Sequence, residues 1–324
     1  MRLALIGFGH VGRAFARLLE AQRKVYPFRI VAIQTLRHGT AFDPGGLPIE
    51  PQFGPRIDTI EEFLDRAQPE VVIEITTLEP ATGEPAIGHI RAAFARHIHV
   101  VTANKGPIAH AYAALSEESR RAGVEFRFES TVMDGAPVFN LVRNGLPGCK
   151  VNGFTGVLNS TTNVVIDALR SGRTLAEGID DARRIGIAEA DASYDIDGWD
   201  AAAKTAALAN VLLNASVTPL DVDRRGIGRL TPEKLLDLKQ KGKTIRLVSQ
   251  AYRVFSPDGE KIRMRVRAEV LPENDILATV QGTSNLLLLD TDLMGTVGTV
   301  ELNPGVEQTA YGVFSDVIDI AKTL

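Results

Sequence analysis

At 324 residues with 44% hydrophobic content, the chain is long enough to bury a sizeable core and to form two or three structural units. Its formal net charge of -4, with no Lys/Arg block interleaved with aromatics, points away from nucleic acid and anionic membranes and towards a small-molecule role. A single cysteine, Cys149, excludes an intramolecular disulfide and a thiolate metal cluster; no apolar run is long enough to span a bilayer, and without a signal-peptide pattern a cytoplasmic location is expected.

Residues 2–7 read as a buried parallel strand, followed by Gly7-Phe8-Gly9-His10-Val11-Gly12 and an amphipathic helix through Phe15, Leu18 and Leu19. Strand, glycine turn and helix in this order cradle a dinucleotide pyrophosphate, because glycines admit the backbone to the ligand and a helix N-terminus favours an anion. The plainer alternative is a tight strand-to-helix turn. A second strand, 29–35, ends where an adenosine ribose is expected, and NAD-specific sites usually place a carboxylate there. Here the chain reads Gln34-Thr35-Leu36-Arg37-His38, so Arg37 is free either to bind the 2′-phosphate of NADP or to stand as an exposed loop arginine.

The Pro/Gly-rich stretch 41–55 reads as a loop, followed by a capped helix over 59–67 and a strand over 71–75 that ends in Thr76-Thr77. A helix over 85–97 precedes the strand 99–102, which ends in Ala103-Asn104-Lys105. Such strand ends lie on the ligand side of a doubly wound sheet, which directs Thr76, Thr77 and Lys105 towards cofactor and substrate. Residues 125–130 read as a further strand, leading into the turn Thr131-Val132-Met133-Asp134-Gly135-Ala136-Pro137.

Beyond this turn the alternation of strand and helix changes character. The strand 151–158 ends in Asn159-Ser160-Thr161-Thr162-Asn163, a polar cluster opening a helix, and two more helices follow. A helix over 231–241, two strands over 244–255 and 261–271, two shorter strands near 284–289 and 298–302, and a closing amphipathic helix complete the chain. The predicted fold is α/β: a doubly wound Rossmann-type nucleotide-binding domain (1–135, completed by 305–324) with an α+β catalytic and dimerisation region (136–304).

The segment 187–215 carries the most chemistry: Glu189, Asp191 and Asp195 precede an apolar helix bearing one lysine, Lys204. Asp197 reads as the N-cap and Asp200 as the third helical residue, facing Lys204 at i,i+4. A helix apolar nearly all round is normally buried, and a lysine leaving solvent is suited to move a proton. Alternatives are a capping cluster with a surface ion pair, or a calcium loop, in which Lys204 would replace the bidentate Glu of the twelfth position.

With the glycine turn, Thr102-Ala-Asn-Lys105, Gly156-Val-Leu-Asn-Ser-Thr-Thr-Asn163, the Glu189 to Lys204 segment and Thr309-Ala-Tyr-Gly-Val-Phe-Ser-Asp-Val317 all in order, the whole chain resembles homoserine dehydrogenase. The resemblance implies that Lys204 carries the alcohol proton, that Glu189 and Asp200 hold the substrate ammonium with Asp195 and Thr161 nearby, and that Lys105 contacts substrate or nicotinamide. It also implies that Gly305 closes over an NADP or NAD cofactor and that the enzyme is a homodimer. Glu129, with the carbonyls of Val132, Asp134 and Ala136, matches the family's monovalent-cation (Na+) site. Met133-Asp134 stands where the family has small residues, Ser160 where it often has glycine, and the family's common C-terminal regulatory domain is not expected here.

Hydride transfer between a nicotinamide and an alcohol carbon needs the alcohol proton removed as well, so the protein must supply a base and an orienting clamp. The alternative is another NAD(P)-dependent amino-acid or semialdehyde dehydrogenase; a semialdehyde dehydrogenase that passes through a thioester would need an activated cysteine, and Cys149 follows a Leu146-Pro147-Gly148 turn. A non-catalytic dinucleotide sensor would have no use for a lysine set among carboxylates.

Overall fold

The computed structural model describes residues 1–188, 191–257 and 259–324, in two compact units: Met1–Leu141 with Gly305–Leu324, and Val142–Pro304. In the first unit, β1 (Arg2–Ile6), α1 (His10–Gln22), β2 (Arg29–Thr35), β3 (Gly39–Phe42), α2 (Ile60–Ala67) and β4 (Val71–Glu74) are followed by α3 (Ala86–Phe94), β5 (His99–Thr102), α4 (Lys105–Ala122) and β6 (Phe126–Arg127). The sheet order is β3-β2-β1-β4-β5-β6, parallel except for β3. In β1, Leu3, Ala4, Leu5 and Ile6 are all buried, the continuous apolar run of a strand covered on both faces. The C-terminal helix Val306–Ala321 belongs to the same core, with Val313, Phe314 and Val317 packed among Leu3, Phe15 and Leu19. Strand order reverses between β1 and β4, so the glycine turn after β1 and the end of β4 flank one crevice.

The second unit contains β7 (Val151–Val157), α5 (Ser160–Arg170), α6 (Leu175–Arg184), α7 (Ser193–Ile196), α8 (Trp199–Leu213), β8 (Asp223–Arg224), α9 (Pro232–Gln240), β9 (Lys243–Ser256), β10 (Gly259–Pro272), β11 (Asn285–Thr291) and β12 (Gly295–Glu301). Its sheet runs β12-β11-β7-β9-β10-β8, antiparallel apart from the β8–β10 pair. The apolar helix α8 packs against β7, β9 and β10, which explains why it lacks a polar face.

Several local expectations are corrected. The stretch 41–55 is not all loop, because β3 pairs antiparallel with β2 as a short edge strand and Thr40 bridges to Gly54. The strand expected over 125–130 stops at Arg127: Asp316 takes the N–H of Glu129 at 2.8 Å and draws Glu129–Thr131 into a 3-10 turn. Asp197 is not the N-cap of the lysine helix. It ends α7 in the right-handed region, and Gly198 at φ 81° makes the left-handed turn into α8, so Asp200 is the second helical residue.

Arg246 on β9 is fully buried and donates to Asp167 of α5 at 2.7 Å, while the other oxygen of Asp167 accepts from Gly282 N–H at 3.0 Å. The Nε and Nη2 atoms of Arg246 have no hydrogen-bond partner among the described residues, so this guanidinium leans on Asp167. Removing one partner of a buried ion pair costs roughly 3–5 kcal/mol. Asp167→Ala should therefore lower the thermal unfolding midpoint strongly and Asp167→Asn less; an unchanged midpoint in Asp167→Ala would show that the pair does not hold α5 to the sheet.

Candidate active site

At the end of β7 the chain passes through Leu158 and Asn159 into α5. Asn159 is the N-cap of that helix, its Oδ1 accepting the N–H of Thr162 at 2.8 Å. Its Nδ2 group donates to Asp195 Oδ1 at 2.7 Å and to Asp200 Oδ2 at 2.8 Å, so one amide spans two carboxylates. One turn along α8, Lys204 sets its Nζ 3.5 Å from Asp200 Oδ2 and donates to the Leu158 carbonyl at 2.7 Å. The side chains of Lys204 and Asp200 are 16% and 11% exposed, withdrawn from bulk water yet reachable by a small ligand.

Burial pushes the Asp195 carboxyl above its ordinary range, and the neighbouring Asp200 charge adds to the push. The Asn159 N–H, the Lys204 charge and a hydrogen bond from Thr161 oppose it. The single Thr161 hydroxyl proton reaches either Asp195 or, at 3.3 Å, the Ile187 carbonyl, and both links tie α5 to the carboxylate segment. Glu189 lies outside the described residues. On the far side of the Gly198 turn, Arg224 bonds the Asp197 carbonyl and lies 3.6 Å over the Trp199 ring. Asn159 was legible in the sequence only as one of a polar cluster, although an Asn between a strand and a helix is a capping signal.

The first unit holds a cleft of ≈ 500 Å³ lined by Gly7, Phe8, Gly9, Arg37, Thr76 and Thr77, with Arg56 and His89. Gly7 (φ 102°) touches β4 so closely that an added Cβ would stand 2.5 Å from the Ile75 carbonyl oxygen. Gly9 differs: an added Cβ would meet no described atom within 4 Å, and it begins α1 without a side-chain cap. The protein itself does not require glycine at this point, and the helix's first N–H groups are left for a ligand, which suits a pyrophosphate. His10, Val11 and Gly12 form the first turn of α1. β2 ends in Thr35, and two arginines, Arg37 and Arg56, stand on the cleft wall.

Lys105 and Gly305 stand outside that lining. Lys105 is the half-buried first residue of α4, behind the N-cap Asn104, and Gly305 is the exposed N-cap of the C-terminal helix, which packs against α1. In the turn after β6, Val132 and Ala136 are buried and Asp134 adopts φ 41° with its carboxylate accepting from Thr309. The buried Glu129 carboxylate accepts the N–H groups of Val138, Phe139 and Asn140. A carboxylate has about four lone-pair sites, so a cation here would share Glu129 with three amides. Cys149 sits half-buried in a turn, its N–H bonded to the Leu146 carbonyl.

Family models described as homoserine dehydrogenase and as homoserine dehydrogenase, NAD binding domain, match residues 137–318 and 7–129. A homoserine dehydrogenase of Methanocaldococcus jannaschii is 35% identical over 99% of this chain and 98% of its own length. The chain belongs to the homoserine dehydrogenase family. It is an NAD(P)-dependent oxidoreductase of homoserine, and the dinucleotide cleft and the lysine–carboxylate cluster are read in those terms. An NAD(+)-dependent homoserine dehydrogenase of Pseudomonas canavaninivorans is 32% identical over 99% of this chain and 96% of its own. Among solved structures, a homoserine dehydrogenase from Archaeoglobus fulgidus has a TM-score of 0.86 at 28% identity, covering 99% of both chains. A hyperthermophilic archaeal homoserine dehydrogenase in complex with NADPH has a TM-score of 0.82 at 26% identity, covering 100% of this chain and 98% of that one.

Asn159→Ser keeps a helix cap but cannot span both carboxylates. Because the Asp195 carboxyl is already raised, the loss should move the acid limb of kcat/KM for homoserine to higher pH and lower kcat/KM by about 10- to 100-fold. A pH profile superimposable on that of the unsubstituted enzyme would exclude this role for the amide.

Proposed function

We propose that the enzyme interconverts L-homoserine and L-aspartate 4-semialdehyde with NADP preferred over NAD, Lys204 carrying the alcohol proton. The observation that carries this reading is the placement of Lys204 against the Leu158 carbonyl and Asp200. An ammonium nitrogen has three N–H directions. With two directed at protein oxygens, the third is left for the substrate oxygen. The bound nicotinamide supplies the hydride acceptor or donor.

Asp195 and Asp200, with Glu189, give the negative field that an amino-acid ammonium needs, and Thr161 steadies the segment that brings them in. Asn159 holds the two aspartates at a fixed spacing, so that the substrate meets an assembled clamp. Lys105 adds a cation at the end of β5 for substrate or nicotinamide, and Gly305 gives the cofactor a close backbone approach. We assign a monovalent cation, Na+, to the carbonyls of Val132, Asp134 and Ala136 together with the Glu129 carboxylate. The exposed apolar side chains Tyr252, Val270 and Val300 on the sheet of the second unit favour a homodimer. The proposed setting is cytoplasmic amino-acid biosynthesis leading to threonine and methionine.

Lys204→Ala should leave the fold and the NADPH dissociation constant near those of the unsubstituted enzyme and reduce kcat by ~10² to 10⁴. Near-normal turnover at every pH would rule out the proton-carrying role.

The NADP preference rests on the β2 end, where no carboxylate repels a 2′-phosphate and where Arg37 and Arg56 line the cleft. Arg37→Ala is expected to weaken NADP binding by about tenfold or more and NAD binding little. Titration of both cofactors decides it, since equal losses would mean that Arg37 does not read the phosphate.

A further inference from the structure

The nucleotide unit buries a carboxylate that the reaction does not use. β4 reads Val71-Val72-Ile73-Glu74, three apolar residues suited to a central parallel strand and then a glutamate with 0% exposure. A carboxylate so buried persists only where hydrogen bonds compensate its charge. Glu74 Oε1 accepts the N–H of Thr76 at 3.0 Å and also its hydroxyl, and Oε2 accepts the Thr102 hydroxyl at 3.0 Å. Thr102 Oγ1 in turn accepts the N–H of Asn104 at 3.0 Å, and Asn104 donates to the Thr76 carbonyl at 3.3 Å while capping α4 through Gly106 N–H at 3.0 Å.

The ends of β4 and β5 are thereby closed into one ring of hydrogen bonds through a single carboxylate. On α3, His89 brings Nδ1 to 3.9 Å from Glu74 Oε1, and that nitrogen is buried with no hydrogen-bond partner among the described residues. Thr76 and His89 both line the dinucleotide cleft, and Asn104 leads directly into Lys105.

We propose that Glu74 is a positioning residue for the dinucleotide, fixing the Thr76 turn and the Asn104 cap in the shape that the cofactor binds. The proposal rests on the reading of this cleft as the cofactor site. Thr76 sits at the rim, where a free strand end would otherwise sample several conformations, and each conformation lost before binding lowers the entropy lost on binding. Glu74 acts through these neighbours and touches no reacting atom.

The test is a fluorescence titration of NADPH, without homoserine, against Glu74→Gln, Glu74→Leu and Thr102→Val, with thermal midpoints as the folding control. Glu74→Leu and Thr102→Val should raise the NADPH dissociation constant by about tenfold, and Glu74→Gln, which keeps an acceptor for Thr76, by about threefold or less. In steady state the cofactor KM should rise in parallel, with kcat at saturating cofactor and the homoserine KM near their unsubstituted values. If Glu74→Leu does not fold, Thr102→Val carries the test alone. Folded variants that bind NADPH as the unsubstituted enzyme does would overturn the proposal, as would a Glu74→Gln as weak as Glu74→Leu, since the charge would then act on the cofactor directly. Failure of the unsubstituted enzyme itself to bind NADPH would instead overturn the reading of the cleft.

Discussion

The site in the second unit depends on one amide placed between two carboxylates. Asp195 and Asp200 approach within reach of the same nitrogen, and in a partly buried setting two like charges that close repel strongly or share a proton. Asn159 relieves this by giving each carboxylate its own N–H. Its orientation is not free, because the carbonyl side of the same group caps α5. The backbone carbonyl next to it, on Leu158, receives Lys204. A dipeptide at the end of β7 thus sets the relative positions of a lysine and two aspartates that reach it from elsewhere in the chain.

That arrangement explains features that look unrelated. Gly198 turns in the left-handed region between Asp195 and Asp200, which lie five residues apart in sequence and both reach Asn159. α8 is apolar on nearly every side because β7, β9 and β10 lie against it, which leaves Asp200 and Lys204 as its ionisable residues. The two charged groups are stabilised by each other and by Leu158 and Asn159, so the charge is held at the site and screened only partly by water.

The nucleotide unit follows a comparable plan at its strand ends. Gly7 is required by packing against Ile75, whereas at Gly9 the neighbouring protein leaves room. These two glycines separate what the fold needs from what a bound dinucleotide needs. Glu74 and Glu129, both buried, accept hydrogen bonds from neutral donors in neighbouring segments. Buried carboxylates of this kind add little net stability, because desolvation offsets most of the attraction, but they select one arrangement of the loops that carry the ligand-facing groups.

Apart from β3, the sequence by itself determined the order of strands and helices in the nucleotide unit, along with the glycine turn, the lysine helix and the identity of Lys204, Asp200 and Asp195 as a cluster, because each is encoded in local periodicity or in a short spacing. It did not reveal β3, whose pairing with β2 depends on register between strands and is masked by a Pro/Gly-rich composition. Nor did it show that Asp197 ends one helix while Gly198 begins the next, since both are common at helix ends and only the turn towards Asn159 separates them. The bridging role of Asn159, the buried ring around Glu74 and the place of Arg56 in the same cleft wall as Arg37 were decided by tertiary structure alone. Their partners lie 36 and 41 residues away for Asn159 and 28 residues away for Glu74, and a hydrogen bond across such a separation leaves no periodic trace in the chain.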